Sequence, residues 1–271
     1  MTAETRAPRP AEVEAATIRP MARSPYAKVD RTAHPTALRT LGRATAILLL
    51  ALVATAAAAQ SIPGAAATAK LGPILVLGDS IMAWNDERTS SVADRIRARA
   101  DTDVTSRAVP GSRVLGGPDA IPSQYLPGPW SWVVVAGGGN DLADACGCGR
   151  CEAVLNDLID PEGAKGALPD LVRRIRASRA GVLLWSYYAM PDDAPVPFRA
   201  CNDELAEVHA RLQRLAARDD RVLLVDGRDV IPPDDQAAYD RDRVHPSPQG
   251  SDAIAQQIVR TLHEHERDSG R

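Results

Sequence analysis

Ser80 ends a short apolar run, "PILVLGDSIMAW" (73–84), directly behind Gly78 and Asp79. A serine hydroxyl is a weak nucleophile near neutral pH and attacks a carbonyl only when a base takes its proton. Imidazole suits that task, and a carboxylate beside it holds its tautomer and stabilises its charged form. Late in the chain, "YDRDRVHPSPQG" (239–250) supplies both, with Asp242 three residues before His245. One turn of chain can set that carboxylate on one ring nitrogen and leave the other for Ser80. The developing oxyanion needs donors. Candidates are the N–H of Ser80, the N–H of Gly111 in "VPGSRVLGG" (109–117) and the side-chain amide of Asn140 in "AGGGNDLADA" (136–145). Together these residue types point to acyl transfer, in its simplest form the hydrolysis of an ester.

Such groups are useful only if the fold brings them together. From residue 70 onward, apolar strands alternate with amphipathic stretches. Strands are predicted at 73–78, 102–109, 130–137, 181–188 and 221–227, and helices at 90–100, 168–178, 203–218 and 247–265. The strands are mostly continuous apolar runs, as befits a sheet covered on both faces. Ser247 is the expected N-cap of the last helix, with Pro248 at its first position. Alternation of this kind implies an α/β fold, a three-layer α/β/α sandwich on a mostly parallel five-stranded sheet, spanning about 71–266 without an internal repeat. In such sheets ligands bind outside the carboxyl ends of the strands, and each candidate residue follows a predicted strand.

The ordered set Gly78-Asp79-Ser80-Ile81, Gly111, Gly138-Gly139-Asn140-Asp141 and Asp242-Arg243-Val244-His245 resembles the SGNH, or GDSL-type, serine hydrolases. Each block alone is weak; the four in order cover nearly the whole domain. The resemblance implies a flavodoxin-like α/β/α sandwich with Ser80 as nucleophile, His245 as base and Asp242 as the third member of the triad. It also implies an oxyanion hole made of Ser80, Gly111 and Asn140. Ile81 stands where the family name has Leu, an apolar-for-apolar exchange.

Each residue also has a plainer reading. Ser80 could cap a helix, and His245 could be an ordinary loop residue. Asp240 competes with Asp242 as the orienting acid; spacing favours Asp242. Asp79 is expected to bond the loop backbone, Asp141 to cap the helix after the third strand, and His209 to lie at the edge of a helix face. His263 and His265 are expected in a solvated polar tail. No metal site is expected from these histidines. Ile81, Met82 and Trp84, with the Pro-rich loop 187–198, should wall the pocket, Ile81 and Trp84 touching substrate.

Four cysteines, Cys146, Cys148, Cys151 and Cys201, allow three pairings. If all pair, Cys201 joins one of the cluster and the other two close a tiny loop. A Cys₄ zinc site is the alternative.

Residues 1–43 are rich in Pro, Ala, Thr and Arg without apolar periodicity, which reads as disorder. An uncharged apolar run, 44–59, follows Arg39 and Arg43 and ends in Ala57-Ala58-Ala59, the layout of a secretory signal. It falls short of the about 20 residues a spanning helix needs, although a retained anchor is the alternative. Met21 is a candidate internal start. Removal of residues 1–60 takes away a charge of +4 and turns the net −3 into −7. A secreted or periplasmic location is therefore expected, with membrane contact only through the N-terminal segment if it is uncleaved. No basic block and few aromatics argue against a nucleic-acid partner. No dinucleotide fingerprint or Walker loop is present, so no cofactor is expected. The expected activity is that of an esterase or deacetylase on small acyl esters or acetylated glycan esters, the expected partner a small-molecule or glycan ester substrate, and the expected state a monomer. An acyltransferase on an envelope polymer, or a non-catalytic glycan-binding module, are the rival functions.

Overall fold

The computed structural model describes residues 70–196 and 198–270. The front segment and the apolar run 44–59 lie outside the described residues. Five strands form one all-parallel sheet: β1 (Ile74–Leu77), β2 (Val104–Ser106), β3 (Trp132–Ala136), β4 (Gly181–Ser186) and β5 (Val222–Asp226), in the order β2-β1-β3-β4-β5. Every residue of β1, β3 and β4 is buried. Their uninterrupted apolar sequences fit strands flanked by helices on both faces. The two edge strands are more open: Thr105 and Ser106 of β2 are exposed, and Leu223, Leu224 and Asp226 of β5 are half-buried.

The helices are α1 (Ser80–Ala83), α2 (Val92–Ala100), α3 (Ile121–Gln124), α4 (Gly139–Ala145), α5 (Glu152–Leu158), α6 (Ala167–Arg176), α7 (Asn202–Ala216) and α8 (Pro248–Ser269). Crossovers between parallel strands are right-handed. The chain moves one way from β1 to β2 and the other way from β3 through β4 to β5. Its connecting helices therefore fall on opposite faces: α2 on one, α6 and α7 on the other, while α8 returns to pack against α2 and β5. The winding direction reverses between β1 and β3, which opens a crevice at their carboxyl ends. Ser80 follows β1 directly, and Asn140 lies in the first turn of α4 directly behind β3.

Three expectations need correction. The second strand keeps only three of its eight predicted residues as regular ladder; beyond Ser106, Arg107 and Val109 still donate to the Val76 and Gly78 carbonyls at 2.9 and 3.1 Å before the chain turns at Pro110. The last helix runs on to Ser269, past 265. His265 packs edge-on against Trp132, with centroids 5.3 Å apart, rather than standing in solvent. Helix α5 was not anticipated, since its seven residues carry too short an apolar pattern. Ser247 does cap α8, accepting from the N–H of Gly250 at 3.1 Å. Among the described residues, no helix is long and apolar enough to cross a membrane.

Candidate active site

The site begins with the tight exit from β1. Asp79, not Ser80, caps α1: its carboxylate accepts from the N–H of Ile81 at 3.0 Å. Ser80 is thus the first helical residue, with its N–H free of an intrahelical partner. Residues i and i+4 of a helical turn lie on one side, so Trp84 stands over Ser80, its own N–H bonded to the Ser80 carbonyl at 2.8 Å.

The loop between β5 and α8 brings the imidazole. Tyr239 and Pro246 form an isolated antiparallel bridge, and Arg243 takes a left-handed conformation (φ 60°) to close the turn between them. His245 Nε2 lies 2.8 Å from Ser80 Oγ, and His245 Nδ1 lies 2.6 Å from Asp242 Oδ2. The other Asp242 oxygen accepts from the N–H groups of Val244 and His245 at 3.0 and 2.9 Å. Burial pushes the Asp242 carboxyl up, but these N–H groups and the imidazole outweigh it and hold the carboxyl below its ordinary value. Asp240 faces elsewhere. Its Oδ2 accepts from Trp84 Nε1 at 2.8 Å, and this indole N–H, with the N–H of Arg241, lowers its carboxyl. Trp84 stacks flat on the His245 ring, with centroids 3.7 Å apart and planes within 7°. Of the two acids the sequence offered, Asp242 touches the imidazole and Asp240 reaches it through an indole.

Gly111 and Asn140 face the same cleft as Ser80 and His245. Gly111 has φ of +78°, where a side chain would be strained. Asn140 donates one amide hydrogen to the Ser112 carbonyl at 3.0 Å, which fixes its orientation and leaves the second hydrogen for the cleft. Asp141 does not cap α4; Gly138 holds that position. Instead the buried Asp141 carboxylate accepts from the N–H groups of Val114 and Leu115, each at 2.8 Å, and so ties α4 to the Gly111 loop. Burial raises its pKa.

Two supports carried no sequence signal. Gln124, 4% exposed, accepts from the N–H of Gly78 at 2.8 Å and donates to the Gly78 carbonyl at 2.9 Å and to Ser112 Oγ at 3.1 Å. It clamps the Ser80 turn to the Gly111 loop. Tyr187 accepts from the N–H of Gly139 at 3.3 Å and donates to the buried Asp79 carboxylate in a short bond. Burial raises the pKa of Asp79 and lifts that of Tyr187 well above the usual phenol.

A second Ser/His/Asp set lies elsewhere, and His209 is not the face-edge residue expected. Its Nδ1 is 2.8 Å from Ser186 Oγ, and its Nε2 is 3.4 Å from Asp226 Oδ2. Ser186 is 1% exposed, so no substrate reaches it; the set ties α7 to the ends of β4 and β5. The cysteines pair as Cys146–Cys151 and Cys148–Cys201, with Cα separations of 5.2 and 4.7 Å. No group of three or more metal-ligating side chains is found among the described residues.

An all-parallel sheet with its crevice at the β1/β3 reversal defines an α/β protein of the flavodoxin-like order, with a serine, an imidazole and a carboxylate at that crevice. The sequence profile of the GDSL-like Lipase/Acylhydrolase family matches residues 76–253, and the chain belongs to that family. It is an ester hydrolase of the SGNH type. Similar solved structures include a member of the lipolytic protein G-D-S-L family from Veillonella parvula DSM 2008, with 15% identity, 70% of this chain and 97% of that chain covered, and a TM-score of 0.53. A protein from Lactobacillus plantarum has 23% identity, 72% and 98% coverage and a TM-score of 0.54. The inhibitor-bound aryl esterase of M. smegmatis has 14% identity, 71% and 99% coverage and a TM-score of 0.51. The chain has no match among curated protein sequences.

Proposed function

We propose that the protein is an exported serine esterase in which Ser80, His245 and Asp242 form the catalytic triad, with Ser80, Gly111 and Asn140 as the oxyanion hole. The observation that carries this reading is the unbroken chain Ser80 Oγ–His245 Nε2 and His245 Nδ1–Asp242 Oδ2, at 2.8 and 2.6 Å. Ser80 Oγ attacks the acyl carbon while its proton passes to His245 Nε2. The tetrahedral oxyanion is held by the three donors. His245 returns the proton to the leaving alkoxide, the C–O bond breaks, and an acyl-enzyme remains. Water, deprotonated by the same imidazole, then releases the acid and restores Ser80. Asp242 stabilises the imidazolium throughout and stays ionised. All these groups come from one chain, which supports a monomer as the working unit.

A second cleft supports a polar alcohol part, glycans included. It shares Trp84 and Pro110 with the first and is lined by Asp86, Glu87, Arg88 and Asp240. Trp84 covers His245, which hands its proton to the leaving oxygen, so the alcohol departs on this side. Export is supported by the apolar run 44–59. N-terminal sequencing of protein recovered outside the cytoplasm should begin shortly after Ala59; recovery of residues 44–59 in the membrane fraction would mean an anchor instead.

Turnover of p-nitrophenyl acetate by the full chain, beside Ser80→Ala and Asp242→Asn, tests the reading. Activity should vanish in the first variant and collapse in the second. Undiminished turnover in Ser80→Ala would overturn it.

A further inference from the structure

Three connections leave the carboxyl ends of β1, β2 and β3, and each carries one donor of the proposed oxyanion hole: Ser80, Gly111 and Asn140. Hydrogen bonds join these connections in pairs. Gln124 holds the Gly78 backbone and Ser112 Oγ, and so ties the first to the second. Asn140 donates to the Ser112 carbonyl, and Asp141 accepts from Val114 and Leu115, which ties the second to the third. One side of the triangle is left, the direct link from the first to the third. Tyr187, the residue after β4, supplies it. Its Oη accepts from the N–H of Gly139 at 3.3 Å and donates to Asp79 Oδ2. Gly139 directly precedes Asn140 in α4, and Asp79 directly precedes Ser80 and caps α1. One phenolic oxygen therefore bonds the residues just before two of the three donors.

The fit around this oxygen is close. Asp79 and Tyr187 are 2% and 6% exposed, so both are shut off from bulk water. The N–H of Ile81 already takes the other Asp79 oxygen. A Cβ on Gly139 would stand 3.2 Å from Tyr187 Cζ and 3.4 Å from its Oη, so glycine at this position is what lets the phenol approach the backbone N–H.

Oxyanion donors act only at the place the developing charge occupies. A displacement of about 1 Å can cost about 100-fold in rate. With the Tyr187 side cut, α4 is held only through the second connection, and the Asn140 amide is free to swing relative to Ser80. Ser80 and Gly111 keep their own tie through Gln124.

We propose that Tyr187 is a positioning residue for the reaction: its hydroxyl sets the place of the Asn140 amide relative to Ser80 and acts on the rate through Asn140. The proposal rests on Asn140 being an oxyanion donor.

The test is a double-mutant cycle in the full chain. It is read as kcat and KM on p-nitrophenyl acetate and as affinity for phenylboronic acid, which forms a tetrahedral adduct on an activated serine. Asn140→Ala should lower kcat by about 100-fold or more. Tyr187→Phe should lower kcat by about 10- to 100-fold with KM within about twofold, and weaken boronate binding by the same factor as kcat/KM. In the Asn140→Ala background the same change should cost no more than about threefold. Gly139→Ala keeps the hydroxyl but crowds the ring. It should repeat this pattern at smaller size, and it carries the cycle if the Phe variant does not fold. A loss as large in the Asn140→Ala background as in the wild type, or no loss in the wild type, would overturn the positioning role and leave the oxyanion hole standing. Full activity in Asn140→Ala would instead remove Asn140 from the oxyanion hole, and the role of Tyr187 with it.

Discussion

Asp240 and Asp242 are two residues apart and both reach His245, but through different atoms. Asp242 bonds the ring nitrogen and so selects the tautomer that leaves Nε2 free to accept from Ser80. Asp242→Asn should therefore lower kcat by about 10⁴-fold, as expected when the tautomer is lost. Asp240→Asn removes only the charge behind the indole, and steady-state rates should fall by no more than about tenfold. The stacked indole presents its π face to an imidazole that the proposed mechanism makes cationic, an arrangement worth roughly 0.5–2 kcal/mol. Trp84→Leu should accordingly cost about 2- to 30-fold in kcat, with Trp84→Phe recovering most of the loss. Equal rates for Trp84→Leu and wild type would show the stack to be incidental.

Asp79 gives a pH dependence of opposite sign to that of Asp242. Burial raises its folded pKa above the unfolded value. The folded state therefore binds the proton more readily, and stability is gained as pH falls from neutral through the raised pKa toward the ordinary carboxylate range. Asp242, held low, contributes stability above its unfolded pKa that is lost as pH falls through its folded one. Denaturation midpoints of wild type and Asp79→Asn, compared at about pH 7 and about pH 5, should shift relative to one another in favour of the wild type at the lower pH. A constant difference would contradict the buried, proton-hungry state of Asp79.

At the level of elements, the site is held by polar cross-links between the loops that leave β1, β2 and β3. Gln124 satisfies both the N–H and the carbonyl of Gly78. Gln124→Leu leaves the buried Gly78 N–H without a partner, at about 1–3 kcal/mol, while the Gly78 carbonyl keeps the N–H of Val109 at 3.1 Å. Chemical denaturation should show a loss of about 1–3 kcal/mol, and kcat should fall as the Ser80 turn loosens. The strands, the main helices and the four blocks were legible in the sequence, because buried parallel strands write themselves as apolar runs and each block follows one. Gln124 and Tyr187 were not legible. Their roles depend on which loops meet in space, and a glutamine 46 residues from its partner leaves no pattern along the chain. Asp141 was misread for the same reason: a carboxylate in the first turn of a helix usually serves its own helix, whereas here two N–H groups of another loop claim it. His209 was misread because its partners end two different strands.

For the molecule as a whole, Cys148–Cys201 joins the segment after α4 to the start of α7 and so braces the cleft beside Ser80, which Cys201 lines. The loop closed spans 53 residues, for which loop entropy gives a stabilisation of about 4 kcal/mol. Cys148→Ser combined with Cys201→Ser should lower the melting temperature clearly. Cys146–Cys151 closes a loop of five residues and should matter less. These bridges presuppose an oxidising compartment, in keeping with the export proposed from residues 44–59.

The proposed triad makes Ser80 the activated hydroxyl of this site. Reaction of the full chain with a fluorophosphonate, followed by peptide mass spectrometry, tests this most directly. A single adduct should appear on Ser80, and it should be abolished by His245→Ala although the hydroxyl is still present. An adduct on another residue, or none on a protein that still hydrolyses esters, would contradict it.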